Sequence, residues 1–153
     1  MELPMRQQIE DGYKTALKAG DKRRTTTLRA ISAALKDKDI EARGQGKEPL
    51  SDADILVMLQ KMVKQREESL AIYEQNNRDD LASVERDEIA ILSEFLPQGL
   101  SEAELDAAIR GAIEKTGAEG PKDMGKVIGS LKADYPGRID FSKASGKVKA
   151  ALG

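Results

Sequence analysis

FLPQGLSEAEL, Phe95 to Leu105, is the stretch on which the architecture turns. Leu96-Pro97 ends one helix, because proline supplies no backbone N–H and disfavours helical geometry in the residue before it. Ser101 and Glu104 then form a Ser-x-x-Glu capping box, which satisfies two of the N–H groups left open at a helix start. The stretch is a joint between two helical blocks. It predicts an N-terminal helical domain over 1–97 and a C-terminal three-helix module over 98–153.

Working outward, the spacing of apolar residues predicts four helices before the joint and three after it. The first runs from about Leu3 to Ala19, with Pro4 in its first turn, Ile9, Tyr13, Ala16 and Leu17 inward, and Gly20 as the stop. The second runs from an Asp21 N-cap to Arg43, stopped by Gly44, with Leu28, Ile31, Leu35 and Ile40 on its inner face. Ser51 with Asp54 opens the third, which buries Ile55, Leu59, Met62, Leu70 and Tyr73 and ends at Asn76-Asn77. The fourth spans about Asp79 to Leu96 on Leu81, Val84, Ile91, Leu92 and Phe95. Beyond the joint, helices are expected over about Glu102–Thr116, from near Asp123 to a stop at Pro136-Gly137, and from about Ser142 to Leu152. No segment sustains a period of two, so the fold class is all-α: a four-helix domain followed by a small three-helix module.

Composition narrows the chemistry. Charged residues make up 34% of the 153-residue chain and aromatics 3%, so helices with solvated outer faces surround an aliphatic core. There is no cysteine and no histidine. Disulfides, thiolate chemistry, Ser-His and Cys-His pairs and the commonest metal ligand are thereby excluded. No catalytic residue, metal site or cofactor is expected. Met1–Gln8 does not read as a signal peptide and no apolar run spans a bilayer, so the expectation is a soluble, cytoplasmic protein without membrane contact.

Charge is distributed unevenly. Residues 1–100 carry 16 basic and 19 acidic side chains. Residues 122–153 carry Lys122, Lys126, Lys132, Arg138, Lys143, Lys147 and Lys149 against Asp123, Asp134 and Asp140, a net +4 on a chain of net −2. Lysines on adjacent elements neutralise phosphates without reading bases, which makes these seven the candidate nucleic-acid-binding residues. A second basic cluster, Lys22, Arg23, Arg24 and Arg29, sits at the positive end of the second helix, where the dipole disfavours it. It reads as a solvated face or as a site for an anionic partner. Gly120–Lys126, GPKDMGK, fits the start of a phosphate-binding loop. Val127 stands where a magnesium-binding Ser or Thr belongs, and no strand is predicted before it, so its glycines read as close-packing positions. Carboxylate pairs such as Asp52 with Asp54 and Glu85 with Glu88 fall on helices expected to turn polar faces outward. The run around Gln60, Lys61, Lys64, Gln65, Arg66 and Glu67 reads as surface or as a polar interface with another helix.

Three segments together resemble the YqeY family: LRAISAALKDKDIEAR from Leu28, LQKMVKQREESLAIYEQNNRDDLASVERDEIAILSEFLPQGLSEAEL from Leu59, and DMGKVIGSL from Asp123. That family is similar to the tail domain of the B subunit of the tRNA-dependent amidotransferase. The resemblance implies an all-helical two-part fold. It also implies an association with tRNA, which that tail helps to hold while other domains perform glutamine-dependent amidation. The family label is carbon–nitrogen ligase activity with glutamine as amido donor, and neither the kinase nor the glutaminase centre is present in this chain. Asp123-Met124-Gly125-Lys126-Val127 matches the family's D-M-G-K-V run, and Gly137, Arg138 and Asp140 match its G-R-x-D element. The family usually has a small residue between the Arg and the Asp and a glycine after; here these are Ile139 and Phe141.

The expected function is a non-catalytic tRNA-binding accessory protein, with Lys126 and Arg138 as leading phosphate contacts. The alternative is a protein-interaction adaptor docking on an enzyme or an amidotransferase-like complex. No small-molecule substrate is expected.

Overall fold

The computed structural model describes residues 3–153, and the chain divides into two compact units, Met1–Leu96 and Pro97–Gly153. Seven α-helices and one 3-10 turn account for the regular structure of the described residues, with no strand among them. The first unit holds α1 (Met5–Ala19), α2 (Lys22–Gly44), α3 (Asp52–Gln75) and α4 (Asp79–Ser93). The second holds α5 (Glu102–Thr116), a 3-10 turn at Pro121–Asp123, α6 (Met124–Asp134) and α7 (Phe141–Leu152).

The helix starts follow local chemistry. Both capping boxes form: Asp54 N donates to Ser51 Oγ at 3.2 Å and Glu104 N to Ser101 Oγ at 3.1 Å, and each box's acid accepts from the cap residue's own N–H. Asp21 accepts from Arg24 N at 3.1 Å. Several boundaries differ from expectation. Pro4 lies before α1 as its cap residue, Gly44 is the last residue of α2, and α4 ends at Ser93. Phe95 and Leu96 follow α4 in a turn and still pack on the first core, so apolar periodicity ran past the helix itself.

That core joins Ile9 of α1, Leu28 and Ile31 of α2, Ile55 and Leu59 of α3 and Leu92 of α4. Leu17 and Ile40, expected inward, are 54% and 60% exposed. The larger correction concerns α4. Glu85 and Glu88 do not face solvent: both are buried, and Arg66 of α3 reaches them at 3.7 and 2.8 Å. One helix face thus places acids three residues apart opposite a single guanidinium, so Arg66 of the basic run on α3 forms a polar seam between the helices while Lys61 and Lys64 stay exposed. A bidentate pair staples the other side of the unit. Arg6 grips Asp39 at 2.6 and 2.7 Å and donates to Leu50 O, while Leu50 N donates to Asp39 at 3.0 Å.

The second unit builds its own core from Ile109 and Ala112 of α5, Val127 and Leu131 of α6, Ile139, and Ala144 and Val148 of α7. Its connections are short. Gly117 and Gly137, at φ 67° and 75°, take left-handed turns that a side chain would strain.

Candidate nucleic-acid interface

All seven candidate basic residues fall within the second unit, but not in equivalent settings. Lys122, Lys126, Lys132, Lys143 and Lys149 are exposed. Lys126 lies 3.8 Å from Asp123, whose carboxyl is held below the usual range chiefly by the N–H of Glu119. Lys132 stands 5.4 Å from the centre of the Phe141 ring, a cation–π distance. Lys147 is different. Its ammonium bonds Asp106 at 2.9 Å and Glu102 at 3.2 Å, tying α7 to α5, and those two bonds raise its pKa, Asp106 foremost. Those two pairs set it apart from the exposed lysines.

Four of the five exposed lysines share a pattern. KVIGSLK, Lys126 to Lys132, and KASGKVK, Lys143 to Lys149, repeat Lys-x-x-Gly-x-x-Lys in the same register. Val127 and Leu131 face the core in the first, Ala144 and Val148 in the second. The central Gly129 and Gly146 are exposed, and a Cβ placed on either would meet no atom within 4 Å. Each helix therefore presents bare backbone between two lysines about 9 Å apart along its axis. Gly120 and Gly125 are equally open, so the glycines do not serve close helix packing as expected. Nor does GPKDMGK form a phosphate loop: it folds as a 3-10 turn running into α6.

Arg138 is half-buried and doubly clamped. Its Nε donates to Gln98 O at 2.9 Å, and its carbonyl accepts from Leu100 N at 3.0 Å. Asp140 caps α7 by accepting from Ser142 N at 3.0 Å. The two positions that depart from the family pattern are absorbed by the core: Ile139 is buried within it and Phe141 packs against it.

Three of the four members of the basic cluster on α2 have partners within the unit, while Lys22 is exposed. Arg23 pairs with Asp87 at 3.4 Å, Arg24 with Glu94, and Arg29 lies 5.9 Å from the Tyr13 ring centre. Carboxylates of α4 and its following turn, with the ring of α1, supply its partners from within the unit.

A family model described as "Yqey-like protein" matches residues 6–152. The chain belongs to the YqeY family. Among the similar proteins are three fungal ones, each named "Altered inheritance of mitochondria protein 41, mitochondrial". The Lachancea thermotolerans protein is 33% identical over 145 residues, covering 90% of this chain and 76% of its own length. The Pyrenophora tritici-repentis protein is 25% identical, covering 95% and 79%. The Kluyveromyces lactis protein is 28% identical, covering 94% and 73%. These names overturn the cytoplasmic placement expected from composition, because relatives in this YqeY family are mitochondrial proteins. A charged, aliphatic helical fold carries no compartment address. No described helix is long and apolar enough to cross a membrane, and that too is silent on compartment.

Proposed function

We propose that this YqeY-family chain is a tRNA-binding accessory protein that contacts the sugar-phosphate backbone through its second unit. The observation that carries the reading is the repeated Lys-x-x-Gly-x-x-Lys on α6 and α7, where paired lysines flank backbone that nothing covers. Lysines neutralise phosphates, and bare backbone lets a polyanion approach closely. The resemblance to the amidotransferase B-subunit tail supplies the class of RNA. Recognition is by shape and backbone charge, since side chains cannot enter the deep major groove of A-form RNA. The contacts are Lys122, Lys126, Lys132, Lys143 and Lys149. Lys147, held by two carboxylates, contributes through the fold.

An adaptor role has less support. Val57 and Ile72, the exposed apolar residues of α3, are separated by 15 positions, about 22 Å along the helix, too far to form one patch.

The test is binding of the purified chain to bulk tRNA across a salt series. Neutralising four or five phosphates gives a slope of about −3 to −4 in log affinity against log salt. Affinity of about micromolar or tighter at low salt with that slope supports the reading. Absence of binding at low salt, or a flat salt response, refutes it.

A further inference from the structure

The second unit contains a cavity of about 450 Å³ that the phosphate-binding face does not use. Leu100, Glu104, Ala108, Gly111, Tyr135 and Arg138 are among the residues lining it. Its volume falls within the ~300–1,000 Å³ of small-ligand sites. Its polar groups form a mixed set. The two bonds to Gln98 and Leu100 fix Arg138 and consume only Nε of its guanidinium, leaving both Nη groups without a hydrogen bond among the described residues. Glu104 spends Oε1 on the Ser101 N–H at 3.0 Å, leaving Oε2 as an acceptor. The neighbouring Asp134 is balanced by Lys115 at 3.2 Å. The lining residues therefore include an arginine with free donors, a carboxylate with a free oxygen and a tyrosine that packs partly on the core, with little net charge. That set does not suit a bare phosphate. It suits a planar heterocycle with an acceptor edge and a donor edge.

We infer that this cavity takes one unpaired guanine of the RNA partner, stacked on Tyr135, with its O6/N7 edge on Arg138 and its N1–H and N2–H donors toward Glu104. Guanine is the base whose adjacent acceptors match an arginine fork, whereas adenine would turn an amino donor toward it. Unpaired bases stacked on aromatic side chains are the usual route to sequence preference in RNA. The inference deepens the tRNA reading and rests on it for the source of the base.

The experiment is an NMR titration of the full chain with GMP, AMP and 7-deaza-GMP, run beside the tRNA salt series. GMP should shift the amides of Leu100, Tyr135 and Arg138 and bind about fivefold or more tighter than AMP. 7-Deaza-GMP, which lacks the N7 acceptor, should lose most of that advantage without any change to the protein. Tyr135→Leu and Arg138→Lys should each abolish the preference for GMP. Equal binding of GMP and AMP, shifts confined to other residues, or tighter binding there of an N-acetylated peptide through its terminal carboxylate would overturn the inference. If tRNA binds with the steep slope while GMP fails, the cavity assignment falls and the backbone reading stands. If GMP binds while tRNA does not, the RNA reading falls and the cavity remains a guanine site.

Discussion

Asp39 is the residue whose ionisation the first unit uses most directly. Hydrogen bonds from Arg6, helped by the N–H of Leu50, hold its carboxyl at about 2 against an ordinary value of 3.8. A carboxylate with a depressed folded pKa contributes stability that is fully present above its unfolded value and is lost as pH falls through the folded one. The Arg6–Asp39 contribution should therefore persist down to about pH 4 and vanish by about pH 2. Asp39→Ala should cost about 1–2 kcal/mol near neutrality, more than an ordinary exposed pair because the Leu50 bond goes with it. Urea unfolding at stepwise lower pH checks this: the gap between wild type and variant should be constant above about pH 4 and close below it. Arg66 carries a different risk. It is the cation that faces two buried acids, so Arg66→Ala leaves uncompensated charge in the α3–α4 seam. With Arg66 itself 35% exposed at its side chain, the expected loss is about 2–4 kcal/mol, somewhat less than for breaking a fully buried pair. A shift in urea midpoint at constant m-value would register it, and Arg66→Lys should lose less.

At the scale of the element, the helices were legible wherever their signals are local. The capping boxes at Ser51 and Ser101, the Asp21 cap and the left-handed stops at Gly20 and Gly117 depend on residues within one turn, and each forms. What depends on a neighbour was not legible. Glu85 and Glu88 look like surface acids until α3 brings Arg66 against them, and the α2 arginines look unpaired until α4 packs alongside. The candidate site was half legible in the same way. The excess of lysine after Asp123 is visible in the chain, but the withdrawal of Lys147 depends on carboxylates of α5, and the openness of Gly129 and Gly146 on the packing of the whole unit. Those two glycines lead to a prediction. A helical glycine with empty space before it costs up to about 1 kcal/mol relative to alanine. Gly129→Ala and Gly146→Ala should each raise stability by about 0.5–1 kcal/mol. If the polyanion approaches the bare backbone, the same changes should weaken tRNA binding several-fold while leaving the salt slope intact, since no charge is removed. Thermal unfolding and binding isotherms on the same samples separate the two effects. A stabilised variant that binds tRNA as well as wild type would mean that the lysines act without the backbone between them.

For the whole molecule, a net charge of −2 gives no general attraction to a polyanion. Any RNA affinity has to come from how the charge is partitioned. The basic excess lies after residue 121, while α5 of the same unit carries Glu102, Glu104, Asp106 and Glu114 and draws Lys147 back onto itself. Lysine number alone is therefore a poor guide to which lysines matter. The double reversal Lys126→Glu with Lys149→Glu takes one lysine from each Lys-x-x-Gly-x-x-Lys helix. It should flatten the tRNA salt slope by about 2 if each of these lysines neutralises one phosphate, as proposed. The affinity at moderate salt should fall at least about tenfold. Reversal of Lys61 and Lys64, equally exposed but on α3 and outside the repeated pattern, adds the same negative charge to the chain. It should leave the slope within about 0.5 of wild type. Equal effects from the two pairs would show that bulk charge governs binding, and the α6–α7 face would lose its claim to be the interface.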